Sequence, residues 1–109
     1  MPKTINMTTR FGEVRNGCMT MNQYADNKHI ALQLWDEEGP YAGITVNVRG
    51  IRAFPENCSA VDVNNFPDAV RLIRETGIGK HTGKYLVSGW CNYPVYEFDA
   101  EKVREYVWA

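Results

Sequence analysis

Two stretches of the chain alternate apolar and polar residues with period two around a short acidic break. They are His29-Ile30-Ala31-Leu32-Gln33-Leu34-Trp35 and Ala42-Gly43-Ile44-Thr45-Val46-Asn47-Val48, and the break is Asp36-Glu37-Glu38-Gly39-Pro40. Alternation of this kind sends successive side chains to opposite faces of a strand, and two such runs around a turn-forming break predict an antiparallel hairpin. Ile30, Leu32 and Leu34 then share one core-facing side, as do Ile44, Val46 and Val48. Gln33, Thr45 and Asn47 fall on the opposite side, where an Asp in place of Thr45 would be tolerated.

Residues 14–24 lean towards strand, but Gly17 and Asn22 interrupt the pattern, which suits an N-terminal edge or bulged strand. Residues 49–59 lack a sustained period and read as a connecting loop, followed by a short strand at Ala60-Val61-Asp62-Val63. A helix over about residues 66–76 follows, with Asn65 as its cap, Pro67 in its first turn, Asp68 at the positive end of the dipole and Gly77 as its stop. Phe66, Val70 and Ile73 lie on its inner face. Asp68, Arg71, Arg74 and Glu75 form a solvated outer face, where an Arg71–Glu75 pair spans i, i+4 and Arg71 is expendable.

A glycine-rich loop over 77–84 leads to a second hairpin, Tyr85–Trp90 and Pro94–Phe98, joined by Cys91-Asn92-Tyr93. Pro94 cannot donate to a ladder and belongs at a strand start or an edge. Asp99 caps a terminal helix over about 100–107 that turns Ala100, Val103 and Val107 inward. The order of elements predicts an α+β domain over 1–109: an antiparallel sheet of two hairpins plus an N-terminal edge strand, with two helices. A chain of 109 residues and 12.5 kDa has surface enough for one core.

Charge and motifs narrow the function. Twelve Lys and Arg against thirteen Asp and Glu give a net charge of -1, so no positive field favours direct nucleic-acid binding. The N-terminus lacks the apolar stretch of a secretory signal and no window is long enough for a membrane span, so the cytoplasm is the expected compartment. Cys18, Cys58 and Cys91 lack paired spacing and read as reduced packing residues. The run Gly77–Lys84 misses the P-loop spacing, since Ile78 stands at the first glycine's place and Tyr85 at the hydroxyl's. Neither His29 nor His81 has neighbours at ligand spacing, so no metal and no cofactor are expected. Ser88-Gly89 lacks the preceding glycine of a nucleophile elbow, and no catalytic residue is assigned.

What remains points to a protein partner. Asp36, Glu37 and Glu38 form an acidic prong at the hairpin tip, and Asp26, Asp62, Glu97 and Asp99 add negative charge elsewhere. Aromatic residues make up 12% of the chain, more than one small core and its alternating strands can fully cover. Trp35, Tyr41, Trp90 and Tyr93 are the candidates for exposed anchors.

Several motifs carry a resemblance. Leu32-Gln33-Leu34-Trp35, Gly39-Pro40-Tyr41-Ala42 and Thr45-Val46-Asn47 belong to it in the first half; Cys58–Pro67, Gly77-Ile78-Gly79, Thr82-Gly83, Ser88-Gly89 and Tyr93–Phe98 carry it through the second. Together they resemble a family of small proteins of unknown function carried on conjugative elements of gut bacteria. The resemblance implies no catalytic residues; it implies a setting, an accessory gene on mobile DNA. That setting leads to the expectation of a non-enzymatic inhibitor of a host defence nuclease, an RNA-guided DNA nuclease (anti-CRISPR) or a restriction system. A regulator or partner of the conjugative transfer machinery is the alternative.

Overall fold

The computed structural model describes residues 2–108 and is α+β, with two antiparallel sheets of four strands each. The first runs in chain order: β1 (Ile5–Thr9), β2 (Gly12–Gln23), β3 (Ile30–Asp36) and β4 (Gly39–Gly43). In the second, β5 (Thr45–Val46) lies beside β6 (Cys58–Val61), and β6 beside a long hairpin made of β7 (Gly79–Ser88) and β8 (Cys91–Phe98), in the order β5-β6-β8-β7. Helix α1 (Ala69–Thr76) precedes β7, and a short helix α2 (Ala100–Arg104) follows β8.

The β3–β4 hairpin forms, with Ile30, Leu32 and Leu34 buried as the alternation requires. Its second run is not one strand. β4 begins at Gly39, directly after the two-residue turn Glu37-Glu38, and the chain leaves sheet one at Ile44. The Ile44 amide donates to the Leu32 carbonyl of β3 (3.0 Å), while its own carbonyl accepts from Asp62 at the end of β6 (3.0 Å). The next residues pair with β6 as β5. This change of sheet breaks the alternation: Ile44 and Val48 are buried, Val46 only partly so, and Thr45 lies inside. The Thr45 Oγ1 accepts the Leu32 amide (3.0 Å) and shares a hydrogen bond with the Tyr24 hydroxyl (2.8 Å). Thr45 is thus a satisfied buried polar group and not an outward residue tolerant of charge.

Other buried polar groups hold the same region. The Ser59 hydroxyl donates to the Ile30 carbonyl, and the ring of His29 meets the Cys58 carbonyl through Nδ1 at 2.8 Å. Asp62 accepts from the amide and side-chain nitrogen of Asn65 (3.2 and 3.1 Å). Asn65 is therefore drawn into a turn ahead of the helix and caps nothing, and α1 starts later than expected, at Ala69. The stop is at Gly77, whose φ of 71° permits the left-handed cap that sends its amide to the Ile73 carbonyl.

The face α1 buries is Ala69, Leu72 and Ile73, together with Phe66 just before it; Val70 is only partly covered. Arg71 pairs with Glu75 (3.4 Å) as the spacing predicts, and it also reaches Asp68 (3.3 Å) and the Thr8 carbonyl of β1, so it links the helix to sheet one. Asp68 completes that tie by accepting the Arg10 amide at 3.0 Å.

The remaining differences concern strands. The strand expected at an edge or with a bulge is interior and irregular: β1 covers β2 along Gly12–Gly17, and the step from Ile5 to Met7 is opposed by the one-residue-longer step from Gly17 to Val14. Where β1 ends, the C-terminal segment takes over, the Met19 amide donating to the Tyr106 carbonyl (2.9 Å) beside a parallel bridge from Met19 to Val107. α2 accordingly stops at Arg104, although its Asp99 cap is as expected, accepting from the amides of Glu101 and Lys102. The glycine-rich stretch 79–84 is strand β7 with a bulge, and the second hairpin turns at Gly89-Trp90, not at 91–93. Pro94 lies within β8, just ahead of the stretch of that strand that pairs with β6.

Two expectations follow. Thr45→Val leaves the Leu32 amide without its acceptor and the Tyr24 hydroxyl without its partner and should cost about 2 kcal/mol or more in chemical denaturation; a neutral effect would show that Thr45 does not hold the two sheets together. Asp68 is held below the usual carboxylate range by its hydrogen bond from the Arg10 amide and by Arg71. Its stabilising contribution is present above the unfolded aspartate pKa of about 3.9 and is lost as pH falls below it towards the depressed folded value. Melts of Asp68→Asn should therefore lose less stability than wild type over that acid range.

Candidate functional site

Sheet one has two tight turns, Arg10-Phe11 between β1 and β2 and Glu37-Glu38 between β3 and β4. The Glu37 amide donates to the Arg15 carbonyl (3.3 Å), the Asn16 side chain donates to the Glu37 carboxylate, and the Asp36 carboxylate accepts the Glu38 amide (2.9 Å). These bonds fix the turn against β2 and produce a hollow of about 360 Å³ lined by Glu13, Arg15, Asp36, Glu37 and Glu38. Arg15 lies 2.9 Å from Glu13, which with Glu37 and Glu38 holds its guanidinium above its ordinary value. Four carboxylates around one cation leave this end of the sheet negative.

The predicted acidic prong is thus broader than the three residues at its tip, because the bonding of the turn to β2 brings Glu13 and Arg15 alongside it. Phe11, 59% exposed on the β1–β2 turn, adds an apolar group that sequence reasoning passed over. Its signal was Gly12, which takes a φ of 117° to close the β1–β2 turn. The more distant acidic residues do not converge here. Asp62 is buried, Asp99 caps α2, Asp26 accepts from Asn47 (3.0 Å), and Glu97 stands on β8 opposite Lys80.

Of the four aromatic candidates, only Trp90 is fully exposed, at the β7–β8 turn. Trp35 is half-buried on the outer face of sheet one and donates its Nε1–H to Thr20 Oγ1 (3.1 Å). Tyr41 is half-buried, its hydroxyl 2.6 Å from Thr9 Oγ1 and its ring edge-on to Phe66. Tyr93 is buried beside Val48 and Ala60 and is not an exposed anchor. Exposed in their stead are Phe11, Tyr85, Val87 and Trp108.

Among the described residues no three His, Cys, Asp or Glu side chains are grouped as metal ligands would be. Burial pushes the thiols of Cys18 and Cys58 up, which disfavours the thiolate that nucleophilic chemistry needs. The ring of His29 is engaged by the Cys58 carbonyl and serves the seam between the sheets. Among the described residues no helix is long and apolar enough to cross a membrane.

The family described as Domain of unknown function (DUF4313) matches residues 18–108, and the chain belongs to it. Neither the curated proteins nor the solved structures contain a match.

The bonding at the acidic turn sets an expectation for charge reversal. Glu38→Lys removes no side-chain hydrogen bond and should shift stability by less than about 0.5 kcal/mol. Replacing Asp36, Glu37 and Glu38 together by Lys removes the Asn16 and Glu38 amide contacts and crowds cations beside Arg15. That variant should fold but melt measurably lower, by about 1–2 kcal/mol in chemical denaturation.

Proposed function

We propose that this member of a family of unknown function works by binding, as a stoichiometric inhibitor of a nucleic-acid-processing protein, with the acidic end of sheet one as the surface it offers. The supporting observation is the hollow in which Glu13, Asp36, Glu37 and Glu38 surround Arg15, a fixed negative surface on a chain whose net charge is only -1. Carboxylates gathered around this turn match the phosphate-binding channel of a nuclease by complementarity of potential, and Phe11, exposed on the β1–β2 turn, supplies an apolar contact. The target class we favour is a host defence nuclease, an RNA-guided DNA nuclease before a restriction enzyme. The protein is taken to be encoded as an accessory of a mobile element and to act in the cytoplasm. Inhibition of this kind needs no chemistry by the bound domain, only an interface of roughly 800 Å² on its side.

Titration against RNA-guided nucleases in a DNA-cleavage assay should show inhibition that is complete near one equivalent. The triple Lys variant, confirmed as folded, should associate more slowly and inhibit about tenfold less well, with the loss shrinking at high salt. Unchanged cleavage at large excess over several such nucleases would end this reading, and inhibition far below one equivalent would point to an enzyme. Capture of a relaxase or coupling protein from a donor lysate would favour the transfer machinery.

A further inference from the structure

β7 is an edge strand of sheet two and ten residues long. Its first half is guarded. Lys80 faces Glu97, and Thr82-Gly83-Lys84 bulge between the pairs His81–Tyr96 and Tyr85–Pro94, with Gly83 at a φ of 86°. Bulges and lysines are devices that stop an edge from recruiting another strand. Beyond the bulge the guard ends. Tyr85–Ser88 runs in continuous register against Pro94–Cys91 without a proline, a charge or an irregularity, and two of its three exposed side chains, Tyr85 and Val87, are large and mostly apolar, the third being Ser88. Tyr85 is 54% and Val87 71% exposed, and Trp90 stands fully exposed at the turn.

The turn determines which backbone groups face outward. Only Gly89 and Trp90 separate Ser88 from Cys91, so Ser88 and Cys91 form the hydrogen-bonded pair that closes the hairpin. Leu86 and Tyr93 are the next such pair. Tyr85 and Val87 fall at non-hydrogen-bonded positions, with N–H and C=O directed away from β8. Pro94 obeys the same rule, since opposite Tyr85 it owes β7 no N–H.

We propose that this half-edge pairs with its counterpart in a second copy of the chain, antiparallel and about a two-fold axis at Leu86. In that register Tyr85 of each copy exchanges both backbone hydrogen bonds with Val87 of the other, and every outward group of the segment is used. Moving the axis to Tyr85 would run the pairing into the bulge, and moving it to Val87 would run it into the turn. The side chains agree: Tyr85 meets Val87, an aromatic against a β-branched residue, and Lys84 lies near Ser88 rather than near its own copy. Tyr85 and Val87 are already partly covered within one copy, so burying all that remains exposed of Tyr85, Val87 and Trp90 in two copies covers at most on the order of 1,000 Å², the lower bound for a specific interface. The dimer is therefore weak and reversible, and it joins the two second sheets into one of eight strands.

Sedimentation of the full chain over low to high micromolar concentration should show a monomer–dimer equilibrium, and hydrogen exchange should find the Tyr85 and Val87 amides protected only at the high end. Val87→Pro removes one outward N–H without touching a bond to β8, and Val87→Lys sets a charge against Tyr85. Each should weaken dimerisation at least about tenfold while the thermal melt stays cooperative. A monomer at every concentration with both amides exchanging freely would overturn the proposal and leave the edge to a strand of another protein. A dimer untouched by either substitution would overturn it equally, by placing the interface elsewhere, and the exchange data on the wild type decide the matter if a variant fails to fold.

Discussion

The architecture depends on a change of sheet made within one residue. At Ile44 the backbone bonds to β3 on one side and to the end of β6 on the other, and the residues around it must satisfy whatever polar groups this crossing leaves inside. Thr45, Ser59 and His29 do so with one short side chain each, and among the described residues no buried side-chain nitrogen or oxygen lacks a hydrogen-bond partner. An unpaired buried group costs about 1–3 kcal/mol, a sizeable share of a single domain's stability, so these side chains stabilise the crossing where the two sheets share an interior. The main core, from Ile5 and Val14 through Leu34 and Ile44 to Phe66, Ile78 and Phe98, is the apolar space that the crossing encloses.

That crossing also explains what could be read from the sequence and what could not. Alternation through Ile30, Leu32 and Leu34 gave their orientation correctly because β3 stays in one sheet throughout. The same reading failed at Thr45, since period two assumes a strand that keeps its neighbours. Local punctuation survived where its chemistry is local: Gly77 ends α1 and Asp99 caps α2. It failed at Asn65, because Asp62, buried at the end of β6, competes for the side chain and amide that would have started a helix.

The two surfaces singled out lie on different sheets and differ in physical character. The acidic end of sheet one offers long-range attraction fixed in place by short hydrogen bonds, and its three turn residues were legible as a run of like charge. Glu13 and Arg15 were not, since only the bonding of the turn to β2 brings them to that run. Tyr41 and Tyr93, which the sequence offered as anchors, are occupied by Thr9 and by the small cluster at Val48 and Ala60. Exposure of Tyr85 and Val87 depends on β7 being an edge, which no local pattern announces.

The uneven cover on β2 bears on the order in which the fold can be completed. β1 shields its first half within the first seventeen residues, but Met19 finds its backbone acceptor only at Tyr106. A chain emerging in sequence order would hold the β1–β2–β3 meander early, yet leave half of the middle strand's outer edge open until Tyr106 has been made. Contacts of such separation are late and slow by their loop-closure entropy, so the last turn of the chain acts as a latch on the first sheet. Until it closes, the nascent protein carries an unpaired apolar edge at Met19 and Met21, the kind of surface a folding helper would be drawn to.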